Sequence, residues 1–303
     1  MDFDADILSD EERLSLSLRT LYRRAGYTQF RMSKFEEYDL YARNKEFLIS
    51  DSVLTFTDAG GRLMTLKPDV TLSIVRSGRD LNGGVRKLYY QENVYRPDAS
   101  GAFRELTQVG VECLGTVGEA EKAEVLLLAL RSLACASETY KLDISHLGIL
   151  SALVERLGLS GEARREALQC VSQKNLHELR RVCGTGAAAE ALARLVAASG
   201  APETVLPVLY ELGCGEDAAE LERLTGVLAG EGFAGRVNLD FSIVSNLNYY
   251  NSVVFRGFVA GASARVLSGG QYDRLMLRQG RRDRAVGFAV YMDQLDGLGG
   301  GRA

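Results

Sequence analysis

The feature that most constrains the fold is the segment Tyr89–Gly115, which reads as a strand, an arginine-bearing loop and a returning strand. The two strand predictions cover Val85–Tyr95 and Phe103–Leu114. Side chains alternate along a strand, so Gln108 and Glu112 share one face of the second strand. Burying an amide and a carboxylate without polar partners is costly, so this face predicts a ligand site or a solvent-filled cleft. The alternative is that these residues simply face water on an exposed antiparallel sheet.

The predicted elements form two strand-rich outer blocks around a helical middle block. In the first block we predict helices at Ser9–Ala25, Pro68–Arg76 and Glu119–Ala136, and further strands at Val53–Phe56, Leu63–Leu66 and Tyr140–Ser145. In the middle block we predict short helices at Leu150–Leu157, Ala163–Val171, Asn175–Cys183 and Ala188–Ala198. In the last block we predict strands at Arg236–Ile243, Tyr249–Phe258, Ser263–Leu267 and Arg284–Val290, and helices at Gly270–Arg278 and Met292–Leu298.

This order indicates an α+β fold whose sheet is completed by distant parts of the chain. We predict a discontinuous domain of residues 1–147 and 236–303, interrupted by a helical insertion at residues 148–235.

Composition limits the environment and the partners. The 303 residues are 46% hydrophobic and 25% charged with a net charge of −4, which is typical of a globular protein and disfavours a nucleic-acid binder. The five cysteines are widely spaced without a CxxC pair, which predicts reduced thiols and a cytoplasmic location. The acidic start predicts no signal peptide, and no apolar run approaches the roughly 18 residues of a membrane span.

Several catalytic classes lack their signatures. The sequence contains no GxSxG, P-loop or GxGxxG pattern, which disfavours serine hydrolases, P-loop NTPases and dinucleotide enzymes. His146 and His177 are the two histidines, and neither has metal-ligand spacing. We therefore predict structural or surface roles for both histidines, no metal site and no cofactor.

Two further groups of residues are candidates for ligand binding. Asp69 and Thr71 lie two residues apart at a strand-to-helix turn, where they can accept hydrogen bonds from an ammonium group. The alternative is that Asp69 favours the positive end of the helix while Thr71 satisfies a local amide. Tyr250 and Tyr272 flank a glycine pair and offer flat walls with hydroxyl groups, or else pack in the core beside a glycine-rich turn.

In order and spacing, these residues resemble the catalytic domain of histidyl-tRNA synthetase, a class II aminoacyl-tRNA synthetase. The resemblance covers most of the chain outside the helical insertion, and it implies an antiparallel sheet flanked by helices. It also implies a histidine pocket made of Asp69, Thr71, Gln108, Glu112, Tyr250 and Tyr272. Arg96 matches the arginine that contacts the ATP α-phosphate in that family, so it is a possible vestigial nucleotide contact.

Three positions depart from the synthetase pattern. Ser245, Gln271 and Gln294 stand where the family has arginines that serve adenylate formation. Losing one such charge-stabilising group costs roughly a hundred- to thousandfold in rate, so we expect no aminoacylation activity and no catalytic residue. Only residues 296–303 follow the third synthetase motif, so we also expect no anticodon-binding domain.

This pattern is similar to the regulatory subunits of ATP phosphoribosyltransferase, a non-catalytic branch of the same family. The resemblance implies that such a chain activates the short-form catalytic subunit in the first step of histidine biosynthesis. It further implies synthetase-like homodimers within a hetero-oligomer of four copies of each chain, with histidine as feedback inhibitor. Two alternatives stay open: a stand-alone histidine-adenylating ligase or truncated synthetase, and an RNA-binding module descended from a synthetase.

Overall fold

The computed structural model of the protein describes residues 7–45, 48, 52–98, 100–244 and 249–296. Its strands are β1 (Thr28–Gln29), β2 (Phe35–Glu37), β3 (Thr55–Thr57), β4 (Leu63–Leu66), β5 (Val85–Pro97), β6 (Phe103–Gly115), β7 (Tyr140–His146), β8 (Ser199–Gly200), β9 (Val237–Asp240), β10 (Val253–Val259), β11 (Leu267–Gln271) and β12 (Arg284–Tyr291). Its α-helices are α1 (Asp10–Arg24), α2 (Tyr38–Ala42), α3 (Thr71–Ser77), α4 (Glu119–Ala136), α5 (Leu147–Glu155), α6 (Gly161–Ser172), α7 (Leu176–Cys183), α8 (Ala187–Ala197), α9 (Pro202–Glu211), α10 (Gly215–Leu228) and α11 (Asp273–Arg278). Short π- and 3-10 helices cover Ala229–Phe233, Ala234–Arg236 and Met292–Gln294.

The large sheet has nine strands in the order β1-β5-β6-β12-β11-β10-β7-β9-β8. From β5 to β7 every neighbouring pair is antiparallel, whereas β1 and β9 join the sheet in parallel. The hairpin β5–β6 therefore lies beside β12, which comes from the far end of the chain. This arrangement confirms the predicted α+β fold and a sheet completed by distant segments. The remaining strands form a small sheet in the order β2-β4-β3.

Helices α1 and α4 pack on one face of the large sheet. Helix α1 begins with a capping box in which the Ser9 hydroxyl accepts from the Glu12 amide and the Glu12 carboxylate accepts from the Ser9 amide. Inside the interface, the hydroxyl groups of Tyr22 and Ser132 share a hydrogen bond of 2.9 Å. These helices bury one face of the sheet, so the opposite face of its central strands is available for a site.

The middle of the chain is helical, as predicted. Helices α5 to α10 follow β7, and this segment adds only the two-residue strand β8 to the sheet. Leu150 and Leu221 from these helices belong to the same buried core as Val109 and Leu126 beneath the sheet. Because one core runs through both parts, the domain boundaries at residues 147 and 236 remain a prediction. Among the described residues, every helix is too short or too polar to cross a bilayer.

One strand prediction is wrong in position. We predicted a strand at Ser263–Leu267, but residues 263–265 are exposed and β11 spans Leu267–Gln271. The glycine pair therefore lies inside a strand and not in a turn. A Cβ at Gly269 would lie 2.3 Å from the carbonyl oxygen of Gly287, so glycine here permits close approach of neighbouring strands.

Some element ends also differ from prediction. Helix α3 begins at Thr71 and not at Pro68, and the carboxylate of Asp69, two residues before the helix, accepts a 2.8 Å hydrogen bond from the amide of Leu72 in its first turn. Strand β10 begins at Val253, four residues later than predicted. The predicted final helix Met292–Leu298 is a short 3-10 turn that ends at Gln294, and its last two predicted residues lie outside the described part of the chain.

Candidate functional site

A single pocket collects most of the predicted site residues. The predicted ligand-binding side chains that line it are Asp69, Thr71, Arg96, Gln108, Glu112, Tyr250 and Tyr272. They come from segments up to about two hundred positions apart, and the fold of the large sheet brings them together. Their clustering supports the predicted pocket, while their individual roles in binding histidine remain predictions.

Strand β6 supplies the floor of the pocket. Gln108 and Glu112 are only 4% and 2% exposed, which rules out the alternative that they face water on an open sheet. Between them, Val109 and Val111 point to the other face and pack in the core under α1 and α4. The strand thus separates an apolar face from a polar face that lines the pocket.

Glu112 is a buried carboxyl group of the pocket with a strongly raised pKa. Its Oε1 accepts a 2.7 Å hydrogen bond from the Thr71 hydroxyl, and its Oε2 accepts a 2.6 Å hydrogen bond from the Tyr272 hydroxyl. Burial raises the pKa of Glu112 to about 8 against the opposing effect of these hydrogen bonds, and the nearby Asp69 raises it further. Glu112 is therefore poised to change protonation when a cationic or hydrogen-bonding ligand arrives.

Asp69 serves both the helix and the pocket. One oxygen accepts a hydrogen bond from the Leu72 amide in the first turn of α3, while the other lies 3.7 Å from the Nη2 atom of Arg96. Burial raises the pKa of Asp69, and Arg96 opposes this effect. Arg96 also donates a 2.7 Å hydrogen bond from Nε to the Pro68 carbonyl. Arg96 thus fixes the turn that presents Asp69 and Thr71.

Thr71 does not satisfy a local amide through its hydroxyl, as the alternative interpretation required. The hydroxyl donates across the pocket to Glu112, which links the start of α3 to β6.

Aromatic rings close the pocket on one side. The rings of Tyr249 and Tyr250 lie 4.6 Å apart at 66°, and those of Tyr249 and Tyr272 lie 5.7 Å apart at 46°. Burial raises the pKa of all three hydroxyl groups, so they stay neutral at physiological pH. Flat neutral rings next to a carboxyl group suit a planar nitrogen heterocycle such as imidazole.

Sequence reasoning missed two arginines of the pocket, Arg256 and Arg265. Arg256 lies on β10 between Phe255 and Gly257, and Arg265 lies in the loop before β11. A charged residue at the centre of an otherwise apolar strand was an available signal for Arg256. Nothing in the sequence indicated that the loop residue Arg265 would reach the same pocket.

Of the three positions where the sequence departs from the synthetase pattern, the structure describes Gln271 and Gln294. Gln271 is buried and donates a 2.6 Å hydrogen bond to Asp273, and Gln294 donates a 2.7 Å hydrogen bond to Asp293. Neither belongs to the pocket lining. Ser245 lies outside the described residues.

A second buried polar cluster joins the helical segment to the sheet. His146 lies at the end of β7, with Nε2 3.4 Å from Glu220 and 3.0 Å from the Ser252 hydroxyl. Lys122 of α4 donates a 2.5 Å hydrogen bond to the same Glu220. His146, Asp217 and Glu220 could hold a metal ion by geometry, but Lys122 already balances the charge of Glu220. The contacts of this cluster connect α10 to α4 and β7, and the structural role of His146 stays a prediction.

We expect the Glu220→Gln variant to lose about 3 kcal/mol of unfolding free energy near pH 7. Hydrogen bonding with His146 and then Lys122 lowers the pKa of Glu220 to about 2. A lowered folded-state pKa gives stability that is present above the unfolded value of about 4.5 and is lost as the pH falls towards 2.

Urea unfolding between pH 7 and pH 3 should show this loss in the wild type and not in the Glu220→Gln variant. Glu216→Gln, at an exposed position of the same helix, is the control. Equal pH dependence in Glu220→Gln and the wild type would contradict the assignment.

Comparison with known proteins places the chain in a family. A sequence profile described as histidyl-tRNA synthetase matches residues 2–295. A protein named ATP phosphoribosyltransferase regulatory subunit from Thermoanaerobacter sp. (strain X514) is 32% identical over 97% of this chain and 80% of its own length. A protein named histidine–tRNA ligase from Methanosphaerula palustris is 30% identical over 97% of this chain and 72% of its own length.

Solved structures share the fold. A protein described as an ATP phosphoribosyltransferase regulatory subunit/histidyl-tRNA synthetase from Bacillus halodurans aligns with a TM-score of 0.83, at 24% identity over 97% of this chain and 80% of its own. A chain of the ATP phosphoribosyl transferase complex from Thermotoga maritima aligns with a TM-score of 0.74, at 17% identity over 93% of this chain and 97% of its own. At these identities the structures establish the fold alone. The profile match over residues 2–295 and the 32% identity show that the chain belongs to the histidyl-tRNA synthetase family, and its relatives include ATP phosphoribosyltransferase regulatory subunits.

Proposed function

We propose that this chain is a regulatory subunit that activates a short-form ATP phosphoribosyltransferase catalytic subunit in the first step of histidine biosynthesis. The observation that carries the proposal is the match to a relative of that name, at 32% identity over 97% of the chain. The shared fold of a chain from the Thermotoga maritima complex is consistent with it. The direct test is to combine the two subunits and to measure whether a mixed complex turns over faster than the catalytic subunit alone.

We further infer that the chain has no aminoacylation activity of its own. The pocket keeps side chains suited to an amino acid, including Asp69, Thr71 and Glu112. Ser245, Gln271 and Gln294 stand where the synthetases carry arginines. Positioned cations stabilise the negative charge that develops on the phosphates during adenylation, so their loss removes much of the rate.

The second candidate is a histidine-adenylating ligase. Two observations favour it: the 30% identity to a histidine–tRNA ligase and the presence of Arg96 in the pocket. We expect no histidine-dependent exchange of labelled pyrophosphate into ATP above background, with an active histidine–tRNA ligase as positive control. Exchange that requires histidine and disappears in Glu112→Gln would establish the ligase and contradict the loss of chemistry.

The retained pocket is our candidate for the site that senses histidine. Its carboxyl groups, hydroxyl groups and aromatic walls match the amine and imidazole of that ligand. Feedback inhibition requires that histidine bind one state of the complex more tightly than the other, since equal affinity shifts no equilibrium. We propose that histidine in this pocket favours a less active arrangement of the assembly.

We expect Glu112→Ala and Tyr250→Ala to abolish histidine inhibition of the reconstituted complex while activation of the catalytic subunit persists. Both side chains line the pocket of this chain, so their removal acts on the proposed histidine site. The measurement is turnover of the complex against histidine concentration. Unchanged inhibition in both variants would place the histidine site elsewhere and leave the activating role intact.

We propose that the chain forms synthetase-like dimers within a cytoplasmic hetero-oligomer of four copies of each subunit. The five free cysteines fit a reducing compartment. The net charge of −4 argues against tRNA as a partner, and undetectable tRNA binding at low salt would support this view. Light scattering of the mixed subunits measures the mass of the complex and tests the stoichiometry.

A further inference from the structure

We propose that Arg256 and Arg265 form an oxyanion-binding end of the pocket, apart from the carboxyl group of Glu112. This inference rests on the proposed ligand-binding role of the pocket and adds a specific subsite to it. The ligand chemistry is a carboxylate or a phosphate oxygen, held by one or both guanidinium groups.

The register of the sheet sets the two ends apart. Glu112 on β6 is in line with Gly287 on β12, Gly270 on β11 and Val254 on β10. Arg256 is two residues beyond Val254, so its Cα lies about 7 Å further along the strands and about 14 Å across them. Glu112 and Arg256 therefore extend from separate positions toward one pocket, with space for a small ligand between them.

The two arginines lack anionic partners. Within the described part of the chain, neither guanidinium makes an ion pair or a hydrogen bond, whereas Arg96 in the same pocket faces Asp69. Arg256 is half-buried, and this burial and then the neighbouring Arg265 lower its pKa. The carboxylate of Asp240 opposes this effect from beyond ion-pairing distance, but it is already paired with Lys174. Two adjacent cations, one of them partly desolvated, are unfavourable unless an anion balances them. A bound anionic ligand would balance the charge of these two guanidinium groups.

The surroundings of Arg256 favour an oxyanion. Its strand neighbour Ser268 lies directly opposite on β11, and the Ser268 hydroxyl shares a 2.6 Å hydrogen bond with the Tyr291 hydroxyl. Both hydroxyl groups line the pocket, and the one that accepts this hydrogen bond keeps its own O–H free to donate to an oxygen ligand. A planar guanidinium binds carboxylates and phosphates through two parallel hydrogen bonds. Because Glu112 lies at the other end, the charges of the pocket are complementary to those of a zwitterionic amino acid.

The test is isothermal titration calorimetry of the full chain with three probes: histidine, histamine and inorganic pyrophosphate. Histamine keeps the imidazole and the amine but lacks the carboxylate. We expect Arg256→Gln to weaken histidine binding by about tenfold or more and to leave histamine binding within about twofold, because only histidine offers the charged acceptor. Arg265→Gln is the second variant, and Arg165→Gln on the exposed surface of α6 is the matched control.

The outcomes separate the two sources of the oxyanion. A selective loss of histidine affinity assigns the subsite to a carboxylate, and a selective loss of pyrophosphate affinity assigns it to a phosphate. Unchanged affinities for both probes in both variants would overturn the subsite. If the wild type binds no histidine, the histidine pocket is contradicted, and the pyrophosphate measurement alone decides the oxyanion subsite.

Discussion

Replacing Glu112 by glutamine is expected to weaken histidine binding by about ten- to a hundredfold, the range for losing a hydrogen bond to a charged group. Glutamine has the same shape and can keep contacts with Thr71 and Tyr272, which now hydrogen-bond to the carboxyl group. It cannot become an anion when an imidazolium or a polarised imidazole N–H approaches. Calorimetric titration with histidine measures the loss. Glu105→Gln, at an exposed position of the same strand, is the control.

The same substitution is expected to change the pH dependence of stability in the absence of histidine. The folded-state pKa of Glu112, about 8, exceeds the unfolded value of about 4.5. Its contribution to stability is therefore fully present below about pH 4.5 and is lost as the pH rises through about 8. Glu112→Gln removes this decline, so the variant gains stability relative to the wild type between pH 5 and pH 8.5. If the unfolding free energies of the two proteins change equally with pH over this range, the proposed protonation of buried Glu112 is contradicted.

Replacing Gly287 by alanine is expected to destroy the pocket and to destabilise the fold by about 1–3 kcal/mol or more, the usual cost of overpacking a core. A Cβ at this position would lie 1.8 Å from Oε2 of Glu112 and 2.4 Å from the carbonyl oxygen of Val111. The Glu112 side chain is held by two hydrogen bonds, and the Val111 carbonyl belongs to the neighbouring strand. Neither can move aside easily, so strand pairing and the position of the carboxyl group both suffer.

Chemical denaturation and histidine titration measure the two effects of Gly287→Ala. The control is Gly226→Ala, because a Cβ there meets nothing within 4 Å. Gly226 lies at an exposed position of α10, where alanine should add up to about 1 kcal/mol of stability. A Gly287→Ala protein with wild-type stability and histidine affinity would show that β6 and β12 are not packed as closely as described.

Residue patterns within one element were sufficient to predict the main parts of the fold and one wall of the pocket. The hairpin β5–β6 follows from two alternating segments around a polar loop, and α4 was predicted with its observed ends. Alternation also placed Gln108 and Glu112 on a common polar face, which the structure buries in the pocket.

Features that depend on contacts between distant strands could not be read from local patterns. Gly269 and Gly270 look like a turn in sequence, yet they lie inside β11 because neighbouring strands approach too closely for a side chain. The same limitation hid Arg265, a loop residue that the pairing of β10 and β11 brings to the pocket. Helix α3 begins three residues later than predicted, and Asp69, which precedes it, accepts a hydrogen bond from its first turn.

The most direct test of the regulatory role is reconstitution with the short-form catalytic subunit from the same source. ATP phosphoribosyltransferase turnover and the mass of the complex would be followed together, with and without histidine. We predict a large mixed complex whose activity far exceeds that of the catalytic subunit alone and falls when histidine is added. Two subunits that stay separate, with no stimulation of turnover, would contradict the account.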